Sequence, residues 1–396
     1  MNATAARRLD ALTGARFFAA FHVLLFHYGG PLLAAAPRWA DRVRDCGYVA
    51  VSFFFVLSGF VIAYHHAADA ERRALDVRAF WVSRLSRIYP LHAVGLLVMV
   101  PLAIRDEWNA RVFGSASLLA KGVTLAAHAS FTQGWVPQLA MSWNLPAWSV
   151  CAEAFFYAAF PLLAVQLARV RSQRQLFAAM AALWFVSLAI AAAYLMVRPD
   201  GAGPLARHTS GRWLEALKYN PLVRLPEFAF GVCLGKLFRL GDGARGGGGI
   251  LAVLATIGIV AALAASSWLP YPLLHNGLLL PLFGALVFGL AKGGGALGRV
   301  LAARPLVLLG DASYALYILQ FPLMLWATVL AGAGVNLDGA PFRAAYLLAA
   351  VALSVAAHLA LERPIQRRLR PWLLAQVRRG TPRPASGTPL PAIPRA

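Results

Sequence analysis

Apolar positions cluster into long runs along this chain, and polar positions gather between them. The runs lie at roughly 12–33, 47–66, 88–105, 147–168, 175–197, 221–239, 249–268, 273–291, 309–332 and 343–362. Each is close to the ~20 residues that a helix needs to cross a bilayer. Backbone groups in lipid must find partners within the segment, so such runs are helical. The pattern predicts an all-α polytopic membrane protein, a bundle of about ten transmembrane helices. A further segment near 115–131 contains Lys121 and His128 and is too broken to count as a crossing.

Composition agrees with the pattern. Of 396 residues, 60% are hydrophobic and 13% charged, against about 45–50% and about 25% in soluble domains. The first run follows Arg7 and Arg8 as a signal peptide would. It is too long for such a segment, and no small-residue cleavage site follows cleanly, so an uncleaved first helix is expected. Lys and Arg set the orientation. With a cytoplasmic N-terminus and ten alternating spans, inner segments hold 24 of the 37 Lys and Arg and outer loops 11. Both termini are therefore expected in the cytoplasm. The same bias accounts for much of the net charge of +21, so the basic balance points to a membrane rather than to nucleic acid.

Little else suggests a separate module. Cys46, Cys151 and Cys233 are scattered without metal-ligand or CxxC spacing, which argues for small apolar packing residues. "GDGARGGGG" at 241–249 reads as a flexible connection rather than a phosphate cradle. The expected organisation is a transmembrane domain over 1–370 and a cytoplasmic tail over 371–396. From about 380 the tail is rich in Pro, Gly and Ser and is expected to be disordered.

The ionisable residues inside the runs carry the candidate chemistry, because such groups usually face a bundle interior or a watery cavity. They are Arg16 and His27 in the first run, Glu153 in the fourth, and Arg224 and Glu227 in the sixth. Arg16 and His27 are eleven residues apart, roughly 1100° of helical rotation, so they share a face about 16 Å apart along the axis. His22 lies roughly 140° away from His27 and points elsewhere. In the assumed orientation Glu153 sits about two turns below the outer end of its span, at a depth similar to His27. A carboxylate there would fix an imidazole tautomer and raise its basicity. The plainer readings are an Arg snorkelling to headgroups and a His satisfied by a backbone carbonyl. Arg224 and Glu227 are one turn apart, which favours a structural ion pair over catalysis. Asp311 is expected to cap or orient the start of its span.

Seven segments match one family in order. "LDALTGARFFAAFHVLLFH" at 9–27 places Arg, ten residues, then His. "GYVAVSFFFVLSGFVI" at 47–62, "FWVSRLSRIYPLH" at 80–92 and "WSVCAEAFFYAAFP" at 148–161 follow. "RLPEFAFGVCLG" at 224–235, "LGDASYALYILQFP" at 309–322 and "LERP" at 361–364 complete the series. The chain resembles the acyltransferase-3 integral membrane proteins, which transfer acyl groups, often acetyl, onto sugars of exported or surface glycans. It departs from many members at Gln320, where they have His. A neutral amide can donate and accept hydrogen bonds but cannot carry a proton near neutral pH.

The resemblance implies an O-acyltransferase in its stand-alone membrane form, in the bacterial inner membrane. The donor substrate is acyl-CoA, acetyl-CoA above all, with no bound cofactor and no metal. The acceptor is a carbohydrate or lipid-linked glycan. Arg16, Arg84 and Arg87 would hold the donor's phosphates, for which guanidinium groups are well suited. His27 and Glu153 would be catalytic, His27 acting either as general base or as carrier of the acyl group. Arg224, Glu227 and Gln320 would support the site. Two other classes remain: a secondary transporter exporting a glycan or its precursor, and a non-catalytic membrane partner of a polysaccharide assembly complex.

Overall fold

The computed structural model describes residues 9–72, 74–104, 117–241, 247–332 and 334–379. The stretch expected to be disordered from about 380, Arg7 and Arg8, and most of the glycine-rich connection lie outside these residues, whereas the first part of the expected tail, 371–379, is helical. Among the described residues there are helices and no strand. In chain order they are α1 (Asp10–Tyr28), α2 (Arg38–Asp45), α3 (Ala50–Glu71), α4 (Val77–Ile104), α5 (Leu118–Ala129) and α6 (Ala147–Ala168). There follow α7 (Gln173–Val197), α8 (Arg212–Tyr219), α9 (Pro221–Leu240), α10 (Gly248–Ala264), α11 (Tyr271–His275) and α12 (Leu280–Ala291). The last are α13 (Gly295–Leu301), α14 (Arg304–Asp311), α15 (Ser313–Ala331), α16 (Ala340–Ala357) and α17 (Arg363–Arg379), with a π-helical turn, His358–Glu362, joining the final pair.

Seven of the helical segments are long and apolar enough to cross a membrane, so this is a multi-pass membrane protein. They run over Gly47–Asp69, Val77–Ile104, Ala147–Ala168, Gln173–Val197, Tyr271–Ala291, Ser313–Ala331 and Ala340–Val377. The other three expected runs also fall on helices. Two of these, α1 and α9, carry the charged residues singled out above, and α10 is 17 residues long.

Side-chain caps start two of the helices. Ser172 Oγ accepts from the Gln175 backbone N–H at 3.2 Å while Gln175 Oε1 accepts from the Ser172 N–H at 3.3 Å. This reciprocal box satisfies donors that open the helix α7. Before α9, Asn220 Oδ1 accepts from the Leu222 N–H at 2.9 Å, with Pro221 at the first helical position. The broken segment near 115–131 folds as the 12-residue α5. Its Lys121 is buried and donates to Ala103 O at 2.7 Å, satisfying a carbonyl at the end of α4.

The centre of the bundle is the contact of α3 with α9. A Cβ at Gly231 would fall 2.0 Å from Val56 O, so only glycine permits this approach. Gly231 and Gly235 form the GxxxG spacing that lets membrane helices pack backbone to backbone. The helix α1 docks in the same manner, since a Cβ at Gly14 would meet Leu301 O at 2.0 Å. The Gly14 contact fixes where Arg16, two residues further on, projects.

Candidate active site

Arg16 comes from α1, Arg84 and Arg87 from successive turns of α4, and Glu153 from α6. Arg16 lies within electrostatic range of Arg87, Glu362, Asp311 and Glu153. Arg84 lies within range of Arg87, Tyr157 and Glu153, and Arg87 of Tyr157, Glu153, Glu362 and Asp311. The structure therefore gathers four of the expected site residues into one cluster. All four are partly accessible, so the cluster borders a space rather than a packed core. Among the described residues the three guanidinium groups make no hydrogen bond and no ion pair within 4 Å, and the buried Arg84 Nε has no partner. Arginines are generally paired when taken out of water. Three that converge without a bonded protein acceptor form a place for an anion.

Glu153 is held by two hydroxyls. Ser58 Oγ on α3 donates to its Oε1 at 3.1 Å, and Tyr157 OH donates to the same oxygen at 2.6 Å. Tyr157 is one turn along α6 and is itself fixed, since Trp81 Nε1 donates to its backbone carbonyl at 3.0 Å. These bonds turn the carboxylate toward the arginines. The expectation that Glu153 orients His27 is therefore corrected: its hydrogen-bond partners are Ser58 and Tyr157, and its charged neighbours are the arginines. The expected depth is what fails. Gly47 packs against His22 and Phe26 near the His27 end of α1. Ser58, which holds Glu153, lies eleven residues further along the same helical segment, about 16 Å toward the Arg16 end.

Residues from the end of the chain close the cluster. The π-turn brings His358 Nδ1 within 2.9 Å of Glu362 Oε2. Gln366 Nε2 donates to Glu362 Oε1 at 3.1 Å and to Arg87 O at 3.4 Å, tying α17 to α4. Tyr314 OH donates to Ile88 O at 2.6 Å beside the same charges. A cleft of about 570 Å³ lies beside the cluster, lined among others by Arg304, Asp311, His358, Arg363 and Gln366, and not by Arg16, Arg84, Arg87 or Glu153. Asp311 ends α14 and faces Arg16 and Arg87. The N-cap of α15 is Ala312, with no side-chain cap, which corrects the expected capping role of Asp311.

His27 stands at the other end of α1, in its last turn. Its ring is exposed, flanked by Phe26 at 4.8 Å and Tyr28 at 5.8 Å, and makes no hydrogen bond among the described residues. Its nearest charge is Arg207, from the connection between α7 and α8. Arg207 pairs with Asp45, and its guanidinium sits 5.4 Å from the centre of the Phe26 ring. Nothing in the spacing of Arg207 within a polar loop signalled this position. By contrast His22 is bound through Nε2 to Val43 O at 2.7 Å, the structural role its position on the helical wheel suggested.

The remaining expected residues lie deeper. Arg224 and Glu227 form an ion pair at 2.9 Å, almost completely buried. Arg224 also donates to His275 O at 2.8 Å and to Ser52 Oγ at 2.9 Å, while Ser52 Oγ donates to Glu227 Oε1 at 3.3 Å. Phe55 and Trp148 rings cover the guanidinium, with their centres at 5.6 and 5.9 Å. This enclosed network fastens α9 to α3 and α11 and fits the structural reading. Gln320 is fully buried on α15. Its Nε2 donates to Tyr317 O at 3.0 Å, its backbone carbonyl accepts from Tyr346 OH, and its Oε1 has no partner.

The acyltransferase-domain family matches residues 9–359, and the chain belongs to it as an O-acyltransferase. The acyltransferase MdmB of Streptomyces mycarofaciens is 29% identical over 98% of this chain and 97% of its own length. The O-acetyltransferase OatA of Staphylococcus aureus is 23% identical over 81% of this chain but only 51% of its own length. No solved structure matches the chain.

Proposed function

We propose that this membrane acyltransferase moves an acyl group, acetyl in the simplest case, from acyl-CoA in the cytoplasm to a hydroxyl of a surface or exported carbohydrate. One observation carries the reading: Arg16, Arg84 and Arg87 converge without bonded protein acceptors, while His27 shares the α1 face of Arg16 about 16 Å further along. A donor with anionic phosphates at one end and a thioester at the end of a long arm fits that separation. The acetyl group is supported by the O-acetyltransferase name of the Staphylococcus relative. The distribution of Lys and Arg supports an orientation with both termini in the cytoplasm, and the family resemblance implies the bacterial inner membrane.

In this mechanism the arginines bind the donor phosphates through charge-assisted, paired hydrogen bonds. The acceptor hydroxyl reaches His27 from the opposite side, where the ring is exposed. A ring nitrogen takes the hydroxyl proton as the oxygen attacks the thioester carbonyl. The carbon–sulfur bond then breaks, and the CoA thiolate leaves with the proton returned by His27. The relay route uses the same residues, with His27 carrying the acyl group between donor and acceptor. Glu153 acts as a positioning residue: fixed by Tyr157 and Ser58, it sets the spacing of the arginines. The test is mass spectrometry of surface glycans from cells fed labelled acetyl donor. Label should appear with the intact protein and be absent with Arg16→Ala or His27→Ala at normal protein levels. Undiminished labelling in either variant overturns the mechanism.

A further inference from the structure

The arginine cluster has a neighbour on the last helix that the donor reading does not use. Gln366 of α17 bonds to the backbone of Arg87 on α4. Residues four apart share a helix face, so Arg370 faces α4 one turn beyond Gln366. Arg84 lies one turn before Arg87. Since α17 passes α4 antiparallel in this register, Arg370 meets Arg84, and the two are within electrostatic range of each other. Both carry a buried Nε with no hydrogen-bond partner. Arg370 is also in range of His66 near the end of α3.

Two guanidinium groups within electrostatic range of each other, each with a buried donor unpaired, are unfavourable unless something negative lies near them. The carboxylate in range of Arg84, Glu153, is bonded to two hydroxyls and shared with Arg16 and Arg87. Arg370 lies beyond residue 359, where the family match ends. We propose that Arg370 is a further binding residue that, with Arg84, holds the polyphosphate portion of a soluble nucleotide donor. This rests on the donor site described above and extends it: Arg16 and Arg87 face the interior of the bundle, and Arg84 with Arg370 forms the outer half of the grip. A donor with phosphates at two positions occupies both halves, whereas a simple thioester without the nucleotide reaches only the inner one.

The experiment uses the full-length protein in detergent and follows binding of inorganic pyrophosphate and of acetyl-CoA, by calorimetry and by thermal shift. Arg370→Gln should weaken both on the order of tenfold, the loss of one charge-assisted contact. Arg370→Lys should retain most of the affinity, and Arg367→Gln, exposed on the same helix, should change nothing. Arg370→Met, which keeps the packing stem, serves if the glutamine variant fails to accumulate. Pyrophosphate binding that is absent in the wild-type protein, or equal in Arg370→Gln, overturns the proposal. Arg370-dependent binding of pyrophosphate without binding of acetyl-CoA upholds the polyphosphate grip and removes the acyl-CoA reading instead. In nanodiscs, Arg370-dependent stabilisation by phosphatidylglycerol in place of pyrophosphate would make the occupant a lipid headgroup and also overturn the proposal.

Discussion

Tyr157 donates a 2.6 Å hydrogen bond to Glu153, and the pair faces Arg84 and Arg87. A carboxylate about two turns into α6 is thereby held against an arginine cluster. Tyr157→Phe removes the hydroxyl and keeps the ring. A hydrogen bond to a charged group contributes about 1.5–3 kcal/mol, so the donor KM should rise roughly tenfold while kcat changes less. Steady-state kinetics with varied acetyl-CoA checks this, and an unchanged KM would remove Glu153 from the donor site.

Arg16 and His27 should separate into binding and chemistry. Arg16→Ala is expected to weaken acetyl-CoA binding roughly tenfold or more, because it deletes charge-assisted donors. His27→Ala should leave binding close to normal and lower turnover by roughly 10²–10⁴, the usual contribution of a general base. Equal binding losses in the two variants would refute this division of labour.

The two histidines of α1 offer an internal control. His22 is tied to Val43 O, so His22→Ala should lower thermal stability by about 1 kcal/mol and spare the activity of the folded fraction. His27, with no such bond, should show the reverse. Unfolding curves and activity per folded molecule, measured on both variants, decide the matter.

Arg224→Met should destabilise the protein by about 3–5 kcal/mol, because it leaves Glu227 buried and unpaired. A double variant, Arg224→Met with Glu227→Leu, should recover much of the loss. Thermal melts in one detergent suffice. Activity abolished in Arg224→Met at unchanged stability would show that the pair takes part in the chemistry.

Gly231→Leu is expected to prevent accumulation, since its first side-chain atom would lie 2.0 Å from Val56 O. Gly122, with open space around its Cβ position, should accept Ala with an effect below about 0.5 kcal/mol. Membrane-fraction yield of the two variants provides the comparison.

Much of this protein was legible in one dimension. Apolar runs near the length of a bilayer can only be helices, because lipid offers backbone groups no other partners. Helical register separated Arg16 and His27 from His22, since side-chain direction on a single helix follows from spacing alone. The one-turn spacing of Arg224 and Glu227 suggested an ion pair for the same reason.

What passes between helices was not legible. Glu153 was expected at the depth of His27, yet the packing of α3 against α1 and α6 sets it at the Arg16 end, where Ser58 and Tyr157 hold it beside the arginines. Asp311 looked like a cap and instead faces Arg16 and Arg87. Arg207 lies in a polar loop and Arg370 among several other arginines, and nothing in their spacing marks either. Periodicity within a helix reports the face on which a residue stands, and the sequence alone determined that much here. Which faces meet depends on the rotation and contact of whole helices, set by close approaches such as Gly14 on Leu301 and Gly231 on Val56. Only the tertiary structure decided that three arginines from α1 and α4 share one space with Glu153, while His27 opens at the other end.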